Sequence, residues 1–386
     1  MNFSFETHAY NKFLNRVGIR GDSIKVKISK ILIPFTICWL PLALFTLINN
    51  TFWTGDISNS FITTFDTQAR LLIAMPVFIL AEKEVSARLG LILTQFLNSG
   101  IIRKEDHVSF VEMIERKVQF LSSNWTDLAV YVICYIHVFF VMFYASENTS
   151  LLTWQINVED GETILSLAGK WSSFISRPFV LFLFYRWLLR IIVWGIMMKK
   201  ISSFNLNLFA VHPDLAGGLG FLGYAFRYFS PITFAISAVV AGNMADFILI
   251  EELHLSDVKI IILVYFVIVT LLFVLPLLSF SVKLLNACEE SVFENNDFAN
   301  GIFRELRIKL LKDYDHVNAE DLKTPVFSTA TDLSSVIDNG QKMKLLPFNL
   351  KDLIPLWSMT ALPFLAVVLM EIPLSELLKS LVSILA

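Results

Sequence analysis

The sequence predicts an all-α protein: a polytopic transmembrane helical bundle of about seven spans, N-terminus inside, with cytoplasmic helical extensions. Three observations carry that prediction. Of the 386 residues, 55% are hydrophobic and only 17% are charged, too apolar for a surface that meets water everywhere. Several apolar runs reach the roughly 20 residues a helix needs to cross the hydrocarbon layer. The charges sum to only −3 and fall in blocks between those runs, so no bulk basic field exists to gather nucleic acid.

Residues 1–30 form a basic segment without a short apolar core and a small-residue cleavage site, so no removable signal peptide is expected there. The membrane region covers 31–281. Its first span is "ILIPFTICWLPLALFTLI" from Ile31. The second, "ARLLIAMPVFILAEKEV", is the least regular: its uncharged run from Leu71 to Ala81 is short, Pro76 divides it, and it has to be extended upstream through "FITTFDTQ". A cytoplasmic loop, 82–126, follows. There Val85, Leu89, Ile92, Leu93, Phe96 and Leu97 recur at helical spacing, and Val111, Ile114, Val118 and Leu121 repeat the pattern after the break at "NSG".

Span three starts at Asp127, span four at Pro178, span five at Pro231 and span six at Ile260. Residues 282–351 are too polar to cross. They read as a long helix prolonging span six into the cytoplasm, then a loop and a short capped helix in "TPVFSTATDLSSVIDNG". Residues 352–386 supply span seven and an amphipathic helix, "PLSELLKSLVSILA", too short to cross and suited to the interface.

Lysine and arginine set the orientation, because cytoplasmic flanks are enriched in them. Seven spans with the N-terminus inside place about 24 of the 31 Lys and Arg on the cytoplasmic side and about 3 outside. Loops 49–68 and 146–173 are then external and nearly free of both. Omitting the second span would export Lys83, Arg88, Arg103, Lys104, Arg116 and Lys117. The cysteines, Cys38, Cys134 and Cys288, show neither metal-ligand spacing nor a disulfide framework.

The connection 201–229 concentrates unusual residues in "NLNLFAVHPDLAGGLGFLG". Gly218, Gly220 and Gly223 formally satisfy G-x-G-x-x-G, yet a dinucleotide site needs a βαβ unit and an acidic residue about 20 positions on. Here the following segment enters the membrane. His-Pro-Asp also matches the tripeptide of J-domain co-chaperones, but the flanking basic helical hairpin is missing. The remaining reading is structural: Gly217, Gly218 and Gly220 let the backbone turn sharply at the cytoplasmic mouth, where His212 and Asp214 orient each other, cap a helix or bind a cation. One His with one Asp does not make a metal site, and no cofactor is expected.

Charge inside the membrane is the sharper signal. Arg186 and Arg190 are one helical turn apart, hence on one face, and counting from Pro178 places them roughly 12 and 18 Å deep. Each costs about 2.5–3.5 kcal/mol at that depth, while a Leu, Ile or Phe returns about 0.3–0.6. Both must therefore meet protein, water or an anion. By depth, Asp246 on span five is the expected partner of Arg186, and His137 on span three lies near Arg190. Ala238 and Gly242 give small-xxx-small spacing for close helix packing beside them.

The stretches "ARLLIAMPVFILAE", "YRWLLRIIVW", "HPDLAGGLGFLG" and "PLSELLKSLVSIL" resemble a family of uncharacterised bacterial multi-pass membrane proteins. The resemblance covers most of the chain and implies a bacterial cytoplasmic membrane location, with Arg70, Glu82, Arg186, Arg190, His212, Asp214, Gly217 and Gly218 at recurrent positions. It brings no activity. The chain departs from the pattern at "GKWSSFIS" before span four and at Leu215 after His-Pro-Asp.

These features together lead to the expectation of a homo-oligomeric conduit for a small ion, channel-like or transporter-like, with lipid as its surroundings and Arg186 and Arg190 in or near the path. Arg70 and Glu82 are expected at the interfaces. The first rival is a membrane-embedded enzyme using His212, Asp214 and Glu82 for acid–base work, although no nucleophile elbow, P-loop or metal-ligand cluster accompanies them. The second is a sensor or scaffold signalling through residues 283–351.

Overall fold

The computed structural model describes residues 21, 23–56, 60–148, 153–159, 162–250, 255–311 and 342–371. The basic segment up to residue 20, the stretch "TPVFSTATDLSSVIDNG" and the interfacial helix "PLSELLKSLVSILA" lie outside the described residues. What is described is a helical, multi-pass membrane architecture. Among the described residues six helical segments are long and apolar enough to cross a membrane: Ile24–Ile48, Asn124–Phe143, Leu167–Ser202, Gly220–Leu249, Val258–Leu278 and Leu350–Met370.

Segment one is α1 (Ile24–Cys38) running into α2 (Leu40–Ile48) through Trp39. Ser23 opens it, its Oγ accepting from the Val26 amide at 3.4 Å. Residues 65–98 form a second continuous rod: α3 (Phe65–Gln68), a π-helical stretch Ala69–Ala74, and α4 (Met75–Asn98). By composition this rod is not among the six, since it carries Arg70, Glu82, Lys83, Glu84 and Arg88. It nonetheless lies inside the bundle, with Leu71, Ala74, Met75 and Phe78 buried and α9 packed along it.

After a break at Gly100, in the left-handed region at φ 72°, α5 (His107–Ser122) buries Phe110, Ile114 and Leu121. The two amphipathic helices read from sequence are thus the lower part of α4 and α5. Then come α6 (Asn124–Asn148), the strands β1 (Ile156–Glu159) and β2 (Glu162–Leu165), α7 (Leu167–Trp171), a π-helical stretch Ser172–Ser176, and α8 (Arg177–Ser202). The strands pair antiparallel, Ile156 opposite Leu165, within the loop 146–173. Beside them Trp154 is buried and donates from Nε1 to Thr64 Oγ1 at 3.0 Å.

Both π-helical stretches stop just before a proline near the start of the next helix, Pro76 and Pro178. The cause is local: proline has no N–H to give and its ring crowds the carbonyl four residues back, so a wide turn absorbs the mismatch without breaking the rod. Beyond the connection stand α9 (Tyr224–Ile250), α10 (Leu255–Leu278), α11 (Ser281–Leu311) and α12 (Ile354–Glu371). α9 is central, packing on α12, α4 and α3. At Gly242 the fit is tight, since a Cβ there would lie 2.8 Å from the Phe65 carbonyl oxygen and 3.0 Å from Ala69 Cβ. Cys38 and Cys134 are buried, and all three cysteines are free thiols.

Candidate functional site

Two arrangements collect the chemistry-bearing side chains: a buried charge ladder within the bundle and a polar cavity at its basic end, the end that carries Lys199, Lys200 and the glycine-rich connection.

Arg186 and Arg190 project from one face of α8 into protein and stay away from lipid, with 1% and 5% exposure. Arg186 meets Asp127 at the start of α6, Nη1 to Oδ1 3.2 Å, and donates from Nη2 to the Leu121 carbonyl at 2.6 Å. Its Nε finds no hydrogen-bond partner among the described residues. Arg190 donates from Nη2 to Glu82 Oε1, and its guanidinium stacks 4.8 Å from the Trp187 ring centre. Trp187 in turn donates from Nε1 to the Phe78 carbonyl at 3.1 Å. Asp127 and Glu82 are buried as well, 4% and 7% exposed. Four charges of zero sum thereby tie α8 to α4, to α6 and to the end of α5. In a low-dielectric interior each charge is tolerable only because its partner is present.

The salt bridge expected between Arg186 and Asp246 is not formed. Asp246 is instead the acceptor for the backbone amides of Phe65 at 2.8 Å and Asp66 at 2.9 Å, capping the start of α3 at the opposite end of the bundle. His137 likewise is no partner of Arg190; its Nδ1 lies 2.8 Å from the Tyr185 hydroxyl. The physical reason is the length of the rod. The helical segment that carries the arginines begins at Leu167 and not at Pro178, so they sit roughly 29 and 35 Å along its axis. That brings them level with the acids near the basic end.

Glu82 is accordingly a buried partner of Arg190. Arg70 lies in the first π-helical stretch, partly buried, donating from Nε to Asp66 Oδ1 at 2.9 Å. Asp127 as a partner is not legible from its place in the sequence, where it stands only as the first residue of a span. The signal that could have found it is that Asp127 and Glu82 are the acids flanking spans three and two on the side toward which span four descends.

The connection is organised by Asp214. Its Oδ1 accepts from the amides of Ala216 at 2.9 Å and Gly218 at 3.1 Å, and its Oδ2 from Gly220 at 2.8 Å. Wrapping three amides around one carboxylate requires left-handed backbone at Gly217 and Gly218, φ 64° and 90°. It also requires no Cβ at Gly220, where one would come 2.9 Å from Asp214 Oδ2. Leu215, too, takes φ 56°, and its carbonyl accepts from the Lys344 amide at 2.7 Å. Leu206 bridges to Ile102, docking the connection on the end of α4.

Burial alone would raise the Asp214 pKa, but the three amides and His212 outweigh it and hold the carboxyl below its ordinary value. His212 Nδ1 lies 2.8 Å from Asp214 Oδ1, and its ring borders a cavity of about 570 Å³ together with Gln95, Ser99, Tyr224, Lys344 and Asn349. Among the described residues no three His, Cys, Asp or Glu side chains converge as a metal site requires.

Apolar helices, buried ion pairs and a folded connection at one end define an integral, multi-pass membrane protein. Comparison of the chain with protein-family models, with curated proteins and with solved structures gives no match.

Proposed function

We propose that this protein is a gated conduit for a small ion, with the Arg186–Asp127 and Arg190–Glu82 pairs as its closed gate. The observation that carries this reading is the placement of two guanidiniums one turn apart, both buried within the bundle, with Nε of Arg186 lacking a hydrogen-bond partner among the described residues. A buried polar atom of that kind is a place for water or an ion. Adjacent guanidiniums favour an anion as the passenger. On this reading the bundle crosses seven times with residues 1–30 inside, 65–98 being the second crossing, and the segment 282–351 is cytoplasmic. The chain resides in a bacterial cytoplasmic membrane and assembles with copies of itself, and the stretches resembling bacterial multi-pass proteins support that placement.

The test is chloride flux into proteoliposomes holding the full chain. Flux above that of empty vesicles, lost in a folded Arg190→Ala variant, is the expected result. Flux equal to empty vesicles removes the conduit and leaves the ladder as a lock for the bundle. A second reading, an interfacial ligand or enzyme site, draws on the His212–Asp214 contact at the edge of the 570 Å³ cavity. It expects a polar cytoplasmic small molecule to protect the connection from proteolysis, and His212→Ala to abolish that protection.

A further inference from the structure

A second cavity, of about 450 Å³, opens on the flank of the bundle between α4, α9 and α12. Its lining changes character along its length. Arg88 and Arg227 stand toward the basic end, whereas Val77, Leu80, Pro231 and Met359 line the part nearer the middle of the bundle. Leu80 and Met359 are among the exposed large apolar side chains, so this upper part opens as an apolar wall on the outside of the bundle. From Val77 to Arg88 the groove follows α4 for roughly 16 Å, long enough for much of one acyl chain.

The charges at its foot are unequal. Arg88 is held by Glu84, Nη2 to Oε1 2.6 Å, and lies 5.2 Å from the centre of the Tyr228 ring. Arg227 is exposed and has no ion-pair partner among the described residues. One positive charge therefore remains uncompensated, in the first turn of α9, where the helix dipole adds to it. α12 starts at the same end and contributes in the same sense.

We infer that this groove binds an anionic glycerophospholipid, its phosphate held by Arg227 beside Arg88 and one acyl chain lying over Leu80, Val77 and Met359. A soluble anion would use the guanidiniums but not the apolar wall, and a zwitterionic lipid would use the wall but leave Arg227 uncompensated. The site is independent of the ion path, because none of its lining residues belongs to the ladder.

Native mass spectrometry of the full chain in detergent, titrated with phosphatidylglycerol or with phosphatidylcholine of the same acyl composition, tests it. Phosphatidylglycerol should bind preferentially. Arg227→Gln should weaken it about fivefold, the weight of one basic group near an anionic surface, while leaving phosphatidylcholine unchanged. Ser358→Trp, which plugs the groove without altering charge, should lower phosphatidylglycerol occupancy, and Lys200→Gln at the same end but outside the groove should not. Equal binding of the two lipids, equal losses in Arg227→Gln and Lys200→Gln, or full occupancy in Ser358→Trp would each overturn the inference.

Discussion

At the scale of single residues, the ladder makes a quantitative demand. Removing one member of a buried ion pair leaves its partner desolvated and uncompensated, which costs about 3–5 kcal/mol. Asp127→Ala and Glu82→Ala should each destabilise the purified protein by that much in thermal unfolding. The apolar pair Asp127→Leu with Arg186→Met should recover most of the loss, and if the double replacement is as unstable as the single one, Arg186 and Asp127 are not coupled. Asp214 makes a different demand. Its folded pKa is lowered, so its contribution to the connection is complete above the ordinary carboxylate range, about 4, and falls away as pH drops through the lowered value. Amide exchange at Ala216, Gly218 and Gly220 should be slow at neutral pH, faster in acid, and fast at both in Asp214→Ala. Sequence alone made the arginines conspicuous, because charge is costly in hydrocarbon. It did not reveal their partners, because partner choice depends on vertical register, and a displacement of about 11 residues in the start of a helix shifts that by roughly 16 Å. The glycine run was legible as a turn. What organises it, three amides on one carboxylate, is three-dimensional and leaves no periodic trace.

At the scale of elements, hydrophobic period and length were enough for the long helices. Amphipathic spacing was enough for the lower half of α4 and for α5, since both signals are local. The β1–β2 hairpin has only Asp160–Gly161 as a turn signal in the sequence, because four-residue strands carry too little alternation to register. The π-helical stretches were also invisible; they arise where proline meets a rod that tertiary packing keeps straight. Close packing of α9 on α3 predicts a sharp steric penalty at Gly242, where any side chain meets the Phe65 carbonyl. Gly242→Leu should destabilise by about 1–3 kcal/mol, as overpacking does, whereas Ile260→Leu on the lipid-facing side of α10 should be neutral. Equal melting temperatures for the two variants would mean that α9 does not contact α3 as described.

At the scale of the whole molecule, the second rod decides topology. If 65–98 crosses the bilayer, the loops on either side of α6 and before α3 place Trp53 and Leu167 on one face, opposite Ser203. If it does not cross, Trp53 and Leu167 fall on opposite faces. Cysteines introduced singly at these three exposed positions and challenged in intact cells with a membrane-impermeant maleimide should give labelling at 53 and 167 and none at 203. Labelling at only one of the first two would reduce the crossings to six. Glu82 counts against this rod by composition although Arg190 on α8 compensates it inside the protein, and single-sequence hydropathy cannot register that compensation. The proposed gate joins these scales, because Glu82 sits on the second rod and holds Arg190 on α8. The most direct measurement is therefore chloride flux in proteoliposomes for Glu82→Gln against the unmodified chain at equal amounts of folded protein. A gate predicts faster flux when Arg190 loses its carboxylate. Flux no greater than that of empty vesicles in both preparations would contradict it and leave the ladder with a structural role only.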